Sequence, residues 1–277
     1  MKVKKKISKS TLIPEDRIPS SYQIIGDILL VKFLKQISRK EKLKIGKAYL
    51  ALLPYVNSVW EIKEISGEFR SPVVKHLAGS KKYVTFHKEN GIFYKINIKR
   101  VMFSKGNLNE RKRIIEQVKK GETIVDMFAG IGYFSLGLAK FTPTKAIYAI
   151  EKNPYSFKLL KENTKLNEIK KIIPILGDCR DISRKKSLQG IADRIIMGYL
   201  PKTYRFLEAV KRFAKDTCII HYHDTFLEDE LWKTPNKILN NFFEKKNYKV
   251  KILNKKKVKS FAPYVWHVVL DLKITRM

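Results

Sequence analysis

From Thr123 onward the chain alternates between two apolar rhythms at short, regular intervals, and this alternation restricts the fold more than any other feature. The runs TIVDMFAG, KAIYAIE, IIPILGD, ADRIIMGYLP and TCIIHYHDT have the length and the aliphatic content of strands. IGYFSLGLAKF, NPYSFKLLKENTKLN, TYRFLEAVKRFA and LEDELWKTPNKILNNFFEKK carry apolar residues at helical spacing. A chain that passes through a helix before its next strand rejoins the sheet in the same direction, so a parallel sheet with helices on both faces is expected. KVKILNKKKVKSF and VWHVVLDLKI follow one another without a helix and are expected as an antiparallel edge hairpin. A Rossmann-like α/β domain is therefore predicted over residues 109–277. Its first helix, NERKRIIEQVKK, would have Asn109 as its N-cap and Gly121 as its stop.

The preceding residues read differently. Residues 22–35 and 59–66 have strand composition, and residues 40–53 (KEKLKIGKAYLALL) have a helical rhythm. Residues 83–103 read as a hairpin about Asn90-Gly91, a dipeptide that tolerates positive φ at both turn positions. Residues 19–108 are thus expected as a smaller α+β domain. The start, MKVKKKISKS, is basic and lacks the apolar stretch of a secretory signal, so residues 1–18 are expected as a loose basic arm.

Charge narrows the function. Lys and Arg number 58 against 26 Asp and Glu, a net of +32, with +18 in residues 1–120 and +14 in the remainder. A Lys-rich thermophile surface balances its lysines with Glu, and this chain does not. An excess spread over the whole length suits a polyanion whose counterions are released on binding, which makes nucleic acid the expected partner and the small domain its RNA-facing part. At 44% hydrophobic residues the chain is outside the disordered class. Two cysteines, Cys179 and Cys218, with no CxxC pair, suit a reducing cytoplasm. No apolar run of about 18 residues occurs, so no membrane span is expected. No metal is expected either, and the protein is expected as a monomer.

The chemistry concentrates at strand ends. Asp126-Met127-Phe128-Ala129-Gly130-Ile131-Gly132 joins the first strand of the α/β region to its first helix, and its glycines allow a tight turn and close approach to a ligand. A dinucleotide fingerprint would have a third glycine where Ser135 stands, which disfavours NAD. Glu151 ends the second strand, 21 residues beyond Gly130, where a carboxylate can accept both ribose hydroxyls of a nucleoside. Asp178, at the end of the third strand, can take an adenine amine while the Cys179 backbone faces the ring. Each feature alone reads equally as an N-cap or a solvated strand end. Together, at the ends of three successive strands, they resemble the class I S-adenosylmethionine transferases. Gly198-Tyr199-Leu200-Pro201 follows the fourth strand, where base-modifying members of that fold carry an Asn- or Asp-led motif that grips the target.

GEFRSPVVKHLAG, HKENGIFYKINIKRVMFSKGNLNERKRI and DMFAGIGYFSLGLAK are similar to one group within that fold. It comprises the tRNA guanosine-37 N1-methyltransferases and their relatives, the wybutosine-synthesis aminocarboxypropyltransferases, and the resemblance covers residues 19–275. The methylating branch reads F-S-P-R and N-L-P, where this chain has Phe103-Ser104-Lys105-Gly106-Asn107 and Gly198-Tyr199-Leu200-Pro201; the fifth strand ends in His221-Tyr222-His223. These departures resemble the aminocarboxypropyl branch. The resemblance then implies transfer of the 3-amino-3-carboxypropyl group of S-adenosylmethionine to carbon 7 of 4-demethylwyosine at position 37, in the anticodon loop of phenylalanine tRNA. Guanosine-37 N1-methylation is the alternative. It implies S-adenosylmethionine held by Ser104, Arg111, Phe128, Ala129, Gly130, Glu151, Asp178, Cys179 and Gly198, with Arg111 and Ser104 on its carboxylate. Tyr199, with Phe128, is expected to stack the extruded base. His223 or Asp224 is expected to take the acceptor's proton. His221 and His223 are expected on opposite faces of their strand, so that at most one reaches the pocket. Arg70, Lys81 and Lys82 are candidate phosphate contacts.

Overall fold

The computed structural model describes residues 3–104 and 107–277. The chain divides into two compact units, Met1–Phe103 and Ser104–Met277, so the division falls a few residues before the expected boundary at 108/109. Lys105 and Gly106, the centre of the FSKGN departure, lie outside the described residues, as do Met1 and Lys2.

In the first unit, helix α1 (Val3–Thr11) and helix α2 (Arg39–Leu52) accompany a four-stranded sheet of β1 (Tyr22–Ile25), β2 (Ile28–Val31), β3 (Ser58–Ser66) and β4 (Ser71–Gly79), in that order. β2 and β3 are parallel, joined through α2, and the outer pairs are antiparallel. Residues 22–35 are thus not one strand: the chain reverses at Gly26-Asp27, where Gly26 has φ 56°. α2 starts in a capping box in which the Ser38 hydroxyl and the Glu41 carboxylate satisfy each other's backbone amides. The expected loose arm is helical instead. Ile7 of α1 is 0% exposed in a core with Leu29, Ile45, Tyr49 and Val59, an anchor that the surrounding lysines obscure in sequence. β5 (Val84–Glu89) and β6 (Ile92–Asn97) form the hairpin predicted from Asn90-Gly91, whose φ values are 48° and 75°.

The second unit is a seven-stranded sheet. Its elements are α3 (Leu108–Ile115), β7 (Thr123–Asp126), α4 (Ser135–Phe141), β8 (Ala146–Glu151), α5 (Pro154–Leu166), β9 (Ile172–Leu176), α6 (Cys179–Ile182), β10 (Ala192–Met197), α7 (Leu207–Phe213), β11 (Ala214–Leu227), α8 (Lys233–Glu244), β12 (Tyr248–Ala262) and β13 (Val265–Arg276). The strand order is β12-β13-β11-β10-β7-β8-β9, parallel from β11 to β9 and antiparallel through the β12–β13 hairpin at one edge. The order reverses at β7, which lies between β8 and β10. In open α/β sheets a ligand crevice forms beyond the strand ends at such a switch point. α3 is shorter than predicted, and Asn109 lies inside it. The backbone leaves the helix after Ile115, and the Gln117 carbonyl accepts from Arg194 Nη2 at 2.8 Å while Gln117 Nε2 donates to Asp271 at 3.3 Å. Among the described residues no helix is long and apolar enough to cross a membrane.

Candidate active site

The loop after β7 is built by its own backbone. The Met127 amide donates to Ile196 O at 3.1 Å and the Ala129 amide to Ile150 O at 2.9 Å, tying the loop to β10 and β8. The Ala129 carbonyl in turn accepts from the amides of Gly132 and Tyr133 at 2.8 and 3.2 Å. Ala129, expected to touch the cofactor, therefore has its amide engaged with β8 and its carbonyl engaged within the loop. Gly130 (φ 58°) and Gly132 (φ 100°) leave no room for a side chain without strain: a Cβ at Gly130 would come within 2.4 Å of the Tyr133 ring, and one at Gly132 within 2.6 Å of Leu136. Ser135 stands where a dinucleotide site needs glycine because its hydroxyl donates to Asp126 Oδ2 at 2.6 Å. Asp126 is 0% exposed, and burial pushes its carboxyl up to about 6 despite that bond.

The Glu151 carboxylate is held by two backbone amides, Gly130 N on Oε2 and Asn153 N on Oε1, each at 2.7 Å. Burial raises its pKa and these bonds lower it, with burial dominant. Asn153 also caps α5, so the glycine loop, the carboxylate and a helix start form one rigid unit. With one lone pair left on each oxygen, Glu151 fits the two hydroxyls of a ribose. Asp178 has a second occupation. It caps α6, takes a fork from Arg180 (Nε to Oδ1 at 2.9 Å, Nη2 to Oδ2 at 2.6 Å) and lies 3.5 Å from Lys152 Nζ. The Arg180 fork holds its carboxyl at about 2. Cys179 is 3% exposed, and burial pushes its thiol well above the usual range, leaving it neutral and inert.

Beside these groups stand three rings. Tyr199 stacks on Phe128 at 5.1 Å and 29°, and Phe206 meets both edge-on, at 5.4 Å from Tyr199 and 4.8 Å from Phe128. The Arg180 guanidinium lies 5.1 Å from the Phe206 ring. The loop that carries Tyr199 is held by Asp224, the candidate base. Asp224 is 2% exposed; Oδ1 accepts from the amides of Lys202 and Thr225, both at 2.8 Å, and Oδ2 from Thr203 N at 2.9 Å and the Tyr222 hydroxyl at 2.7 Å. The Thr203 hydroxyl then donates to the Tyr199 carbonyl. Gly198 lies against Phe134, and a Cβ there would sit 3.1 Å from that ring, so an Asn or Asp side chain at this position would press on Phe134.

The two histidines of β11 share a face, contrary to the expectation, because residues two apart on a strand point the same way. His221 is paired with Asp271 of β13, and His223 with Val269. His221 Nδ1 donates to Asp271 Oδ1 at 2.6 Å, and Nε2 accepts from Arg194 Nη1 at 2.7 Å. Burial lowers its pKa and holds it neutral. It belongs to a buried chain that runs from Glu110 through Arg113, Asp271, His221 and Arg194 to Glu122. His223 is 1% exposed, bonds through Nδ1 to His267 Nε2 at 3.0 Å, and packs 5.6 Å from Phe134. Burial holds both His223 and His267 at about 3, hence neutral, and the His223 Nε2 atom makes no hydrogen bond among the described residues. At the start of the unit, Arg111 is 6% exposed, donates from Nη2 to the Ser104 carbonyl at 3.1 Å, and lies 5.5 Å from the Tyr133 ring.

Residues 85–251 match the family model of the TRM5/TYW2 methyltransferase domain, and residues 4–82 match that of the TYW2 N-terminal domain. The chain belongs to the TRM5/TYW2 family. It is 44% identical to the tRNA(Phe) (4-demethylwyosine(37)-C(7)) aminocarboxypropyltransferase of Methanocaldococcus jannaschii over 258 residues, covering 92% of this chain and 98% of that protein. The crystal structure of P. horikoshii TYW2 in complex with MeSAdo superposes with a TM-score of 0.85 at 36% identity, covering 99% of this chain and 100% of that one. A tRNA (guanine(37)-N(1))-methyltransferase, Trm5b of M. jannaschii, is 36% identical over 266 residues, covering 95% of this chain and 74% of that protein.

In this TRM5/TYW2 chain four groups beside these residues carry no signal in the sequence motifs. Phe206 and Phe134 read as core aromatics of helices. Lys259 and His267 come from the terminal hairpin, far from every motif in sequence. Lys259 Nζ donates to the Ser104 hydroxyl at 2.7 Å.

Proposed function

We propose that the protein transfers the 3-amino-3-carboxypropyl group of S-adenosylmethionine to carbon 7 of 4-demethylwyosine at position 37 of tRNA(Phe), as a cytoplasmic monomer. The observation that carries this reading over methylation is Gly198 against Phe134. A Cβ at this position would already press on the Phe134 ring, so the chain has no side chain here to fix a guanine edge, and Tyr199 beside it presents an aromatic face. The match of residues 4–82 to the TYW2 N-terminal domain, and 44% identity to an aminocarboxypropyltransferase over 98% of its length, support the same choice.

The nucleoside end of the co-substrate fits Glu151, whose oxygens are oriented by Gly130 and Asn153, and the glycine loop, which a Cβ would fill. Arg111 and Ser104 take the carboxylate of the amino-acid tail, turning the γ-carbon rather than the methyl toward the base. When bound, S-adenosylmethionine supplies that γ-carbon as electrophile: the new C–C bond forms as the C–S bond breaks, methylthioadenosine leaves with the electron pair, and the acceptor loses its C7 proton. Tyr199 and Phe128 stack the extruded base. His223 offers its Nε2, which makes no hydrogen bond among the described residues, for the released proton. Lys81, Lys82 and Arg70 of the first unit contribute phosphate contacts, within a chain whose net charge is +32.

Mass spectrometry of the small-molecule product, with tRNA(Phe) carrying 4-demethylwyosine, tests this. Methylthioadenosine is expected; S-adenosylhomocysteine would overturn the reading in favour of methylation.

A further inference from the structure

The terminal hairpin is irregular where it passes the entry segment. Lys257 is paired with Val268 and Lys259 with His267, so Val258 is an extra residue in β12 and the register shifts there. An earlier shift lies between Ile252 and Asn254. In a regular strand Lys257 and Lys259 would share a face, and Lys256 and Lys259, three apart, would not. The bulge inverts both relations, as bulges beside functional sites do when they re-aim a side chain. Lys257 turns to the face of Trp266, 4.7 Å from its ring. Lys256 and Lys259 turn together to the other face, the one that carries His223 and His267. There Lys256 Nζ comes within 3.7 Å of Glu110 Oε2, and Lys259 Nζ donates to the Ser104 hydroxyl at 2.7 Å.

Two cations thus converge on one residue from different elements. Arg111 of α3 holds the Ser104 carbonyl, and Lys259 of β12 holds its hydroxyl. A serine hydroxyl that accepts from an ammonium still has its own proton to donate. A guanidinium fork, an ammonium and a hydroxyl donor in one place form a set suited to a carboxylate. The set adjoins the glycine loop, because Arg111 lies on the Tyr133 ring and that same ring fills the space beside Gly130.

We propose that Lys259, re-aimed by the bulge at Val258, is the third arm of the clamp that holds the carboxylate of the co-substrate's amino-acid tail. The proposal rests on the assignment of Arg111 and Ser104 to that tail, and it gives the carboxyl-terminal hairpin a part in choosing which carbon is transferred. Lys259 pulls the carboxylate toward the β12 edge, away from the path along the glycine loop that would present the methyl group.

The test is calorimetric binding of S-adenosylmethionine and of methylthioadenosine, which lacks the carboxylate, to the full-length protein without tRNA. Lys259→Met keeps the aliphatic stem and removes the charge. It should weaken S-adenosylmethionine by about tenfold or more, the loss expected for one charge-assisted contact, and leave methylthioadenosine within about twofold. Lys259→Arg should restore most of the difference. Lys256→Met serves as the control, since its charge faces Glu110, and should change the two affinities in parallel. An equal loss for both ligands in Lys259→Met, or no loss for either, would overturn the proposal and leave the Ser104 bond as a pin between strand and entry segment. The affinity split does not depend on which group is transferred, so it remains separate from the product-mass test of the reaction itself. Should Lys259→Met prove too unstable to titrate, Lys259→Gln, which also removes the charge, gives the same readout: a selective loss for S-adenosylmethionine supports the clamp, and parallel losses or none refute it.

Discussion

Asp224→Asn separates a positioning role from a catalytic one. The native carboxylate accepts four hydrogen bonds, from the amides of Lys202, Thr203 and Thr225 and from the Tyr222 hydroxyl. Asparagine keeps one oxygen. If that oxygen replaces Oδ1, it retains Lys202 and Thr225, and the new NH2 group faces the Thr203 amide and the Tyr222 hydroxyl. The hydroxyl can rotate and accept, but the Thr203 amide cannot, so one buried donor is stranded at about 1–3 kcal/mol. Burial also raises the Asp224 pKa, so removing the charge relieves part of its desolvation, and a net loss of about 2 kcal/mol is expected. Urea unfolding would read this as a lower midpoint at unchanged slope. Because the Thr203 hydroxyl holds the Tyr199 carbonyl, loosening this loop should raise KM for the tRNA while S-adenosylmethionine affinity stays within about twofold. A general base would behave in the opposite way, with kcat collapsing on an unaltered unfolding midpoint. That second pattern would refute the anchor reasoning.

Asp126, fully buried, has a folded pKa of about 6 against an ordinary 3.8. The folded state therefore binds the proton more tightly, and stability falls as pH rises from about 4 to about 6. At about 1.4 kcal/mol per unit, the unfolding free energy of Asp126→Asn relative to the native protein should shift by about 3 kcal/mol in favour of the variant between pH 4 and pH 7. A pH-independent gap in paired denaturant titrations would mean that the charge is not desolvated. Asp178→Ala should weaken methylthioadenosine by about tenfold, through loss of one charged acceptor for the adenine amine, and Arg180→Ala should not. Equal losses in calorimetry would show that the Arg180 fork, rather than the carboxylate, maintains the adenine side.

What the sequence discloses about this chain follows the range of the physics involved. The βα alternation and the Asn90-Gly91 turn are encoded within a few neighbouring residues, and the structure has them where the periodicity predicts. Gly130 and Glu151 are 21 residues apart, yet their meeting is also predictable, because successive parallel strands bring their ends to one edge and Glu151 closes the second strand. The relation of His221 to His223 was equally local, a matter of the two-residue period of a strand. Other features depend on what a residue meets. Ile7 is one apolar side chain among lysines until α2 covers it. Asp224, close to two histidines in sequence, gives no sign there that the loop after β10 delivers two amides to it, those of Lys202 and Thr203. Lys259 depends on a bulge, and a bulge leaves no mark in the apolar pattern. With the exposed edge strand lysine-rich throughout residues 249–259, nothing in the order of residues says which lysine is turned inward. Lysines on an edge strand are ordinarily explained by the need to prevent edge-to-edge pairing, and that explanation holds for those left on the solvent side. It does not cover Lys256 and Lys259, which the register shifts at Ile252/Asn254 and Lys257/Lys259 bring onto the face of Glu110 and Ser104. A defect in strand pairing thus converts part of a solubility device into part of a binding site, and the residue responsible, Val258, carries no charge or polar group of its own.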